Sequence, residues 1–419
     1  MMRVLDIWWD ERRVGQLTQD QHGELGFAYA GEWIDNNSAP ALSASLPKRA
    51  EPFSRRECRP FFGGLLPEEG QRDAAAQALG ISRANDFALL DRLGGDVAGA
   101  LQLLPQGEMP RIPSLDQQPV PLDEEGLIRV LDALPLRPLL AGEEGLRLSL
   151  AGAQSKVPVV LVNGAITLPA SGQPTTHILK PSITRFPATT ENEAFVMRLA
   201  AAIGLDVAKV EPRMVRDRRF LLVQRYDRAT MADGNTRRIH QEDFCQALGV
   251  PPETKYASEG GPTFKDCFAL LRRVSSRPAL DVLKLLDAAI FNLIVGNADA
   301  HGKNFSILYD DNGPRVAPLY DLLSTAAYPE LSPKLAMKIG KCGTLEEMDS
   351  KAWSAFATET GLGFPLIRRR VSEISDAVRS QADDVLHQLA TPGFDEGALL
   401  KYSRSIAARA ERCMLTTSG

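Results

Sequence analysis

The strongest constraint on this chain is the run LDVLKLLDAAIFNLIV, residues 280–295, which is apolar nearly all round a helical projection. A helix without a polar face has to lie in the middle of a domain, enclosed by other elements. Directly after it comes the polar segment GNADAHGKNFSI, 296–307. The fold must therefore end a buried helix at a loop rich in groups that can carry chemistry.

The 419 residues leave room for two to four domains. A content of 44% hydrophobic and 24% charged residues excludes a disordered, collagen-like or membrane-embedded chain. Lys and Arg number 48 against 53 Asp and Glu, a net charge of -5. That balance argues against coating nucleic acid by bulk electrostatics, while leaving room for a local basic patch. No run reaches the length of a bilayer span. The start, MMRVLDIWWDERR, lacks an apolar secretory core and a small-residue cleavage site, so a soluble, cytoplasmic protein with no membrane partner is expected. Five scattered cysteines (Cys58, Cys245, Cys267, Cys342, Cys413) point to reduced thiols. Five dispersed histidines without an H-E-x-x-H pattern argue against structural zinc, whereas a metal held by carboxylate and amide oxygens stays open.

The pattern divides the chain into parts. Residues 3–15 read as a hairpin, and 60–104 as helical, with Ser82 and Asn85 as candidate N-caps and Gly94–Gly95 as a stop. The proline-rich stretch 105–121 reads as a linker. VPVVLV, AITLPA and THILKP are short strands separated by NG and SGQP turns, ENEAFVMRLAAAIG is a helix, and RFLLVQRYDR is a further strand. Beyond Arg228 the chain is mainly helical, and Ile367, Val371, Ile374, Val378, Ala382, Val385 and Leu389 mark one long amphipathic helix. The expected organisation is an N-terminal subdomain at 1–130, a β-rich lobe at 140–228 and a helical lobe at 229–419.

Three groups of residues could carry chemistry. Asp299 and Asn304 lie five apart, with His301 and Lys303 between them. Kinase-like phosphotransferases separate a catalytic Asp from a metal-binding Asn by the same interval. The Asp would accept the proton of an attacking hydroxyl, and the Asn oxygen is a hard ligand suited to Mg²⁺. Seventeen residues further on, PLYDLLS presents Asp321, a second carboxylate that could bridge metal and phosphates. The bland alternative is that Asp299 and Asn304 only cap turns. Lys180, at the end of THILKP, precedes a helix bearing Glu191 and Glu193 and could anchor phosphate; alone it reads equally as a snorkelling surface lysine. RLSLAGAQSK, 147–156, places Gly152 between Ala151 and Ala153, followed by Gln154, Ser155 and Lys156; small residues let backbone N–H groups approach phosphate.

In this order and spacing, SLAGAQSK, PTTHILKP, ENEAF, VQRYDR, KYASEGG, GNADAHGKNFS and PLYDLLS resemble the HipA family of serine/threonine kinase toxins. FFGGLLPEEGQR and LLDRLGGDVAGALQLLP resemble the extra N-terminal region of full-length members. The resemblance implies an α+β, two-lobed protein-kinase-like fold, akin to the HipA and PI3/4-kinase folds, with an added N-terminal α/β subdomain and an all-helical C-terminal lobe. By residue type it implies Asp299 as the catalytic base and Asn304 and Asp321 as Mg²⁺ ligands. Lys180 and the loop Ala151, Gly152, Ala153, Gln154 would serve the phosphates of ATP. Gln224 to Tyr226 would form the adenine hinge, mostly through backbone groups, and Ser149 would be the autophosphorylated serine. His301, counted with the nucleotide site, could position Asp299 or the metal shell or only hydrogen-bond backbone nearby, the structural role being preferred. The family's hinge commonly reads Glu-Arg-Phe and its phosphate loop commonly has Glu where Ser155 stands, so roles for the side chains of Gln224 and Ser155 are not transferred. KYASEGG matches the family without suggesting a mechanism.

The resemblance further implies a HipB-like helix-turn-helix antitoxin, operator DNA reached through it, and an aminoacyl-tRNA synthetase, glutamyl-tRNA synthetase being the family example, as protein substrate. Two alternatives keep parts of this reading: a small-molecule, antibiotic-type phosphotransferase, and a catalytically vestigial DNA-bound co-repressor. The N-terminal region speaks against the first, and the intact set Lys180, Asp299, Asn304 and Asp321 against the second.

Overall fold

The structure is a computed structural model that describes residues 2–111, 120–232 and 234–417. Residues 112–119, the middle of the expected linker, lie outside the described residues. The chain forms two compact units: the first comprises Met1–Pro181, Leu222–Glu253 and Leu308–Asp310, the second Ser182–Leu221, Thr254–Ile307 and Asp311–Gly419.

The first unit opens with the expected hairpin, Arg3–Trp9 paired antiparallel with Arg12–Gln19. Leu25–Tyr29 extends it on one side and Leu101–Pro105 on the other, giving a four-stranded antiparallel sheet. The last of these strands corrects the helical reading of 60–104. LQLLP is too short an apolar run for periodicity to distinguish strand from helix, and its partner lies almost a hundred residues away. The remainder of that region is helical as expected, at Arg55–Gly63, Glu69–Leu79 and Asp86–Leu93. Asn85 caps the last helix, accepting from the Ala88 N–H at 3.0 Å, and Gly94 closes it. Ser82 instead opens the preceding turn, its carbonyl accepting from the Asn85 N–H at 3.0 Å. Leu5, Ile7, Val14, Leu17, Phe27, Phe61, Phe62 and Phe87 make the core between sheet and helices. The same unit carries the expected strands Val157–Val162, Ala165–Thr167 and His177–Pro181, paired antiparallel through the first.

Helices dominate the second unit, with the short strand Gly313–Val316 among them. Pro278–Val295 is the central helix: Leu285, Leu286, Ile290, Phe291, Leu293, Ile294 and Val295 are at most 1% exposed. Phe364–Leu389 is the expected long helix and buries each of its seven stripe residues. It packs against Thr189–Ala202, Pro278–Val295, Ser350–Thr360 and Glu396–Leu415.

The way the central helix ends sets the loop that follows. Gly296 adopts left-handed φ 72° and stops the helix. Its carbonyl accepts from the Ala326 N–H at 3.0 Å and from Thr325 Oγ1 at 2.9 Å. Arg409 donates to the last-turn carbonyls, Nε to Ile294 at 3.0 Å and Nη2 to Leu293 at 2.9 Å. A side chain at 296 would meet strain from φ and a collision, since a Cβ there would sit 2.7 Å from the Ala326 Cβ. Gly296→Ala is therefore expected to lower stability by about 1–3 kcal/mol. Urea unfolding measures it, and an unchanged midpoint would show that the helix end is not strained.

Candidate active site

In the second unit, the residues after Gly296 are fixed by a ladder of buried amides. Asn292 Nδ2 donates to the Ala288 carbonyl at 2.9 Å, and Asn292 Oδ1 accepts from Asn297 Nδ2 at 2.8 Å. Asn297 Oδ1 in turn accepts from the Asp299 N–H at 3.2 Å. The Ala298 N–H donates to Thr325 Oγ1 at 2.8 Å, and its carbonyl accepts from the Ala336 N–H at 2.7 Å. Asp299 is thus exposed at its side chain but pinned through its backbone. Its Oδ1 accepts from the Tyr256 hydroxyl at 2.8 Å.

Past Asp299 the chain tightens into the short turn Gly302–Asn304. The Asn304 side-chain oxygen accepts from the His301 N–H at 3.3 Å, so Asn304 does make the turn contact that the bland reading gives it. His301 and Lys303 are buried. Asp321 is tied in through its backbone: its carbonyl accepts from Asn297 Nδ2 at 3.5 Å, and its φ is 53°. Asp tolerates this left-handed region better than most residues, and such conformations persist where surroundings enforce them. An amide oxygen and a carboxylate are hard donors, the chemistry a small divalent cation takes.

In the first unit, Lys180 is the penultimate residue of the strand His177–Pro181 and is only 5% exposed, so the surface-lysine alternative does not hold. In the second, Glu191 has its own partners, Arg219 Nη1 at 3.0 Å and the Asp395 N–H at 3.1 Å. The small-residue loop of the first unit bends at Gly152, φ 114°. That φ favours glycine, and the Lys156 ammonium, which donates to the Ala151 carbonyl at 2.5 Å, lies against the space where a Cβ would stand. Gln154 Nε2 donates to the Pro181 carbonyl at 3.5 Å, joining the loop to the Lys180 strand. Ser149 is fully buried: its hydroxyl donates to the Leu65 carbonyl at 2.7 Å and its N–H to the Asp96 carbonyl at 3.0 Å. Arg147 is occupied elsewhere, donating to the Asp91 and Leu103 carbonyls at 2.7 and 2.8 Å.

Around residues 224–226 lies a polar network that sequence reasoning missed. Gln224 is exposed, while the Arg225 N–H donates to the Thr176 carbonyl at 3.0 Å. The buried Arg225 guanidinium reaches Asp96 Oδ2 at 3.2 Å, Asp227 Oδ2 at 2.7 Å and the Val97 carbonyl at 2.8 Å. Arg228 and Arg238, cross-strand neighbours, both donate to Asp96 Oδ1, at 2.9 and 3.0 Å. Burial alone would raise the Asp96 carboxyl, but Arg228, Arg238 and Arg225 together hold it below the usual carboxylate range. Tyr226 donates its hydroxyl to Gln241 Oε1. The available signal was the charge pattern RYDR together with a lone Asp96 in an apolar stretch; which charges would meet depended on long-range pairing.

Comparison with known proteins places this arrangement. A HipA-like C-terminal domain matches residues 148–386, and a HipA N-terminal domain matches 5–104. A Sinorhizobium fredii protein named "Putative kinase Y4mE" is 69% identical over 417 residues, covering 99% of both chains. The serine/threonine-protein kinase toxin HipA of Shewanella oneidensis is 29% identical, over 98% of this chain and 95% of that one. A solved Shewanella oneidensis HipA, in complex with HipB and operator DNA, superposes with a TM-score of 0.86 at 28% identity, covering 97% of each chain. Fold and relatives define a protein kinase of mixed α and β structure. The chain belongs to the HipA family.

Two buried titrating groups of the first unit set a pH dependence. Burial pushes the Glu242 carboxyl up from its ordinary 4.5 to about 7, against the donors Ser43, Tyr309 and the Ala44 N–H. Burial pulls His240 down from 6.5 to about 4. Between pH 4.5 and 7 the native state keeps the Glu242 proton that the unfolded chain has released, so stability falls as pH rises. Between pH 4 and 6.5 the unfolded chain binds a His240 proton that the native state refuses, so stability rises with pH. Glu242→Gln removes the first trend. Its urea midpoint should climb more steeply than the wild type's up to about pH 6.5 and lose the fall toward about pH 7; parallel profiles would show that Glu242 does not titrate in this window.

Proposed function

We propose that this protein transfers the terminal phosphoryl group of ATP, with Mg²⁺, to a serine or threonine hydroxyl of a protein, as the toxin of a toxin–antitoxin pair. The observation that carries the reading is Asp299, held by its backbone at the end of the buried helix, with Asn304 five residues on. Bound ATP supplies the phosphoryl group. Asp299 orients the acceptor hydroxyl and takes its proton. Asn304 and Asp321 are the metal ligands, a role their oxygen chemistry fits. Lys180 and the backbone of Ala151, Gly152, Ala153 and Gln154 hold phosphate oxygens, a role that small side chains and the left-handed φ of Gly152 suit. Gln224 and Tyr226 contribute the adenine hinge, and His301 braces the loop of Asp299.

The Shewanella oneidensis relative was solved with HipB and operator DNA. By that likeness we assign this chain a HipB-like antitoxin and operator DNA through it; the motif resemblance adds a helix-turn-helix form for the antitoxin and an aminoacyl-tRNA synthetase, glutamyl-tRNA synthetase first, as substrate. Ser149 is assigned as a self-inactivating phosphorylation site. Its burial means that the hydroxyl must leave the Leu65 carbonyl before it can react. A phosphate of about −1.5 to −2 charge cannot return to that enclosed position, which would keep the loop displaced.

Calorimetric titration with ATP tests the site. Binding should require Mg²⁺, fall at least about tenfold in Asp321→Ala, and weaken in Lys180→Ala. Ser149→Ala should bind ATP like unmodified wild type and take up no label at this position. Metal-independent binding that ignores Asp321 and Lys180 would contradict the assignment.

A further inference from the structure

The segment KYASEGG, 255–261, is the motif for which residue chemistry alone gave no role, and it lies in the second unit beside Asp299. The Tyr256 hydroxyl donates to Asp299 Oδ1 at 2.8 Å. Its ring meets the His301 ring edge-on, with centroids 5.3 Å apart and planes at 83°. From its own segment, the Lys255 ammonium lies 5.4 Å from the Tyr256 ring centroid.

The segment is built to hold this tyrosine still. The Tyr256 carbonyl accepts from the N–H groups of Glu259 and Gly261, both at 2.9 Å. Gly261 permits the tight return: a Cβ there would lie 2.6 Å from the Lys255 carbonyl carbon. The Ala257 N–H donates to the Ala336 carbonyl at 3.1 Å, and the Ala336 N–H donates to the Ala298 carbonyl at 2.7 Å. Residue 336 therefore bridges the tyrosine segment to the residue preceding Asp299. The hydroxyl is placed on the carboxylate by backbone, not by a loose side chain.

We propose that Tyr256 is a positioning residue for the phosphoryl-transfer base: it fixes the rotation of the Asp299 carboxylate so that the acceptor hydroxyl meets a set oxygen. This rests on the reading of Asp299 as that base. A carboxylate carries about four lone-pair sites on two oxygens, so one bond at Oδ1 does not exhaust it. Backbone contacts fix where Asp299 begins, but its side chain is exposed and its terminal torsion is soft. A base that rotates away from the acceptor loses the oriented geometry on which proton transfer depends.

The test is a double-mutant cycle on full-length protein, reading initial rates of label transfer from γ-labelled ATP with Mg²⁺. Tyr256→Phe keeps the ring against His301 and removes only the hydroxyl. It should lower kcat roughly 10-fold and leave KM for ATP within about twofold. Asp299→Asn should lower the rate far more, and adding Tyr256→Phe to it should change nothing further, because the tyrosine acts only through the carboxylate. Thermal melting of all three variants checks that they are folded. A Tyr256→Phe protein at wild-type kcat, with Asp299→Asn inactive, overturns the inference and leaves the base intact. A tyrosine effect of equal size in both backgrounds also overturns it, since that is what general loosening would give. An Asp299→Asn protein at wild-type rate removes both the base and the proposal built on it.

Discussion

Asp96 ties together parts of the first unit that are distant in sequence. Its carboxylate receives Arg225, Arg228 and Arg238, and Thr175 donates its hydroxyl at 2.7 Å. Its backbone does a second job: its N–H donates to the Arg147 carbonyl at 2.8 Å, and its carbonyl accepts from the Ser149 N–H. The segment 224–226 and the start of the small-residue loop thus share one anchor. Asp227, itself held down by Arg225 and Arg228 against the upward pull of burial, supplies the other negative charge and accepts from the Gly99 N–H at 2.7 Å. Burying such a group gives little net stability, because desolvation offsets most of the attraction. What it does give is uniqueness: any other pairing would strand a guanidinium without water. That is an expensive error, so the arrangement selects the pairing of Arg228 with Arg238 and the placing of the segment 224–226 and the start of the loop.

The second unit solves a different problem, that of presenting an exposed carboxylate at a fixed place. Here the rigid element is the apolar helix, and the transition is made by a glycine, one arginine and two buried amides. Gly296 stops the helix, Arg409 satisfies its last carbonyls, and the Asn292–Asn297 ladder carries the constraint out to Asp299. Amides suit this position because each can donate and accept at once. Close to Asp299 in the chain, His301 and Lys303 are buried, and the Tyr256 hydroxyl donates to the Asp299 carboxylate.

Much of this was legible from residues, for identifiable reasons. The apolar run 280–295 and the stripe from Ile367 to Leu389 have unambiguous periods, and both helices lie where periodicity puts them. Asn163–Gly164 reads as a tight hairpin turn, and both residues have positive φ, 49° and 84°. The strand Leu101–Pro105 was not legible, because its identity comes from pairing with the first strand. The group around Asp299 was visible through spacing, but its supports were not: Asn292 and Asn297 read as ordinary polar residues, and Tyr256 reaches Asp299 from 43 positions away. Asp96 was hidden for the same reason. Single acidic residues in apolar stretches gain meaning only when the fold brings three arginines to them. Ser149 was visible as a residue, and its burial was not.

The proposed phosphoryl transfer depends on Asp299 as its proton acceptor. Wild type and Asp299→Asn, both shown folded by circular dichroism, are each incubated with γ-labelled ATP and Mg²⁺, and label on protein is counted over time. Substitution keeps size and hydrogen bonding but removes the base, so the rate should drop on the order of 10²–10⁴-fold. Equal rates in the two proteins would contradict the account.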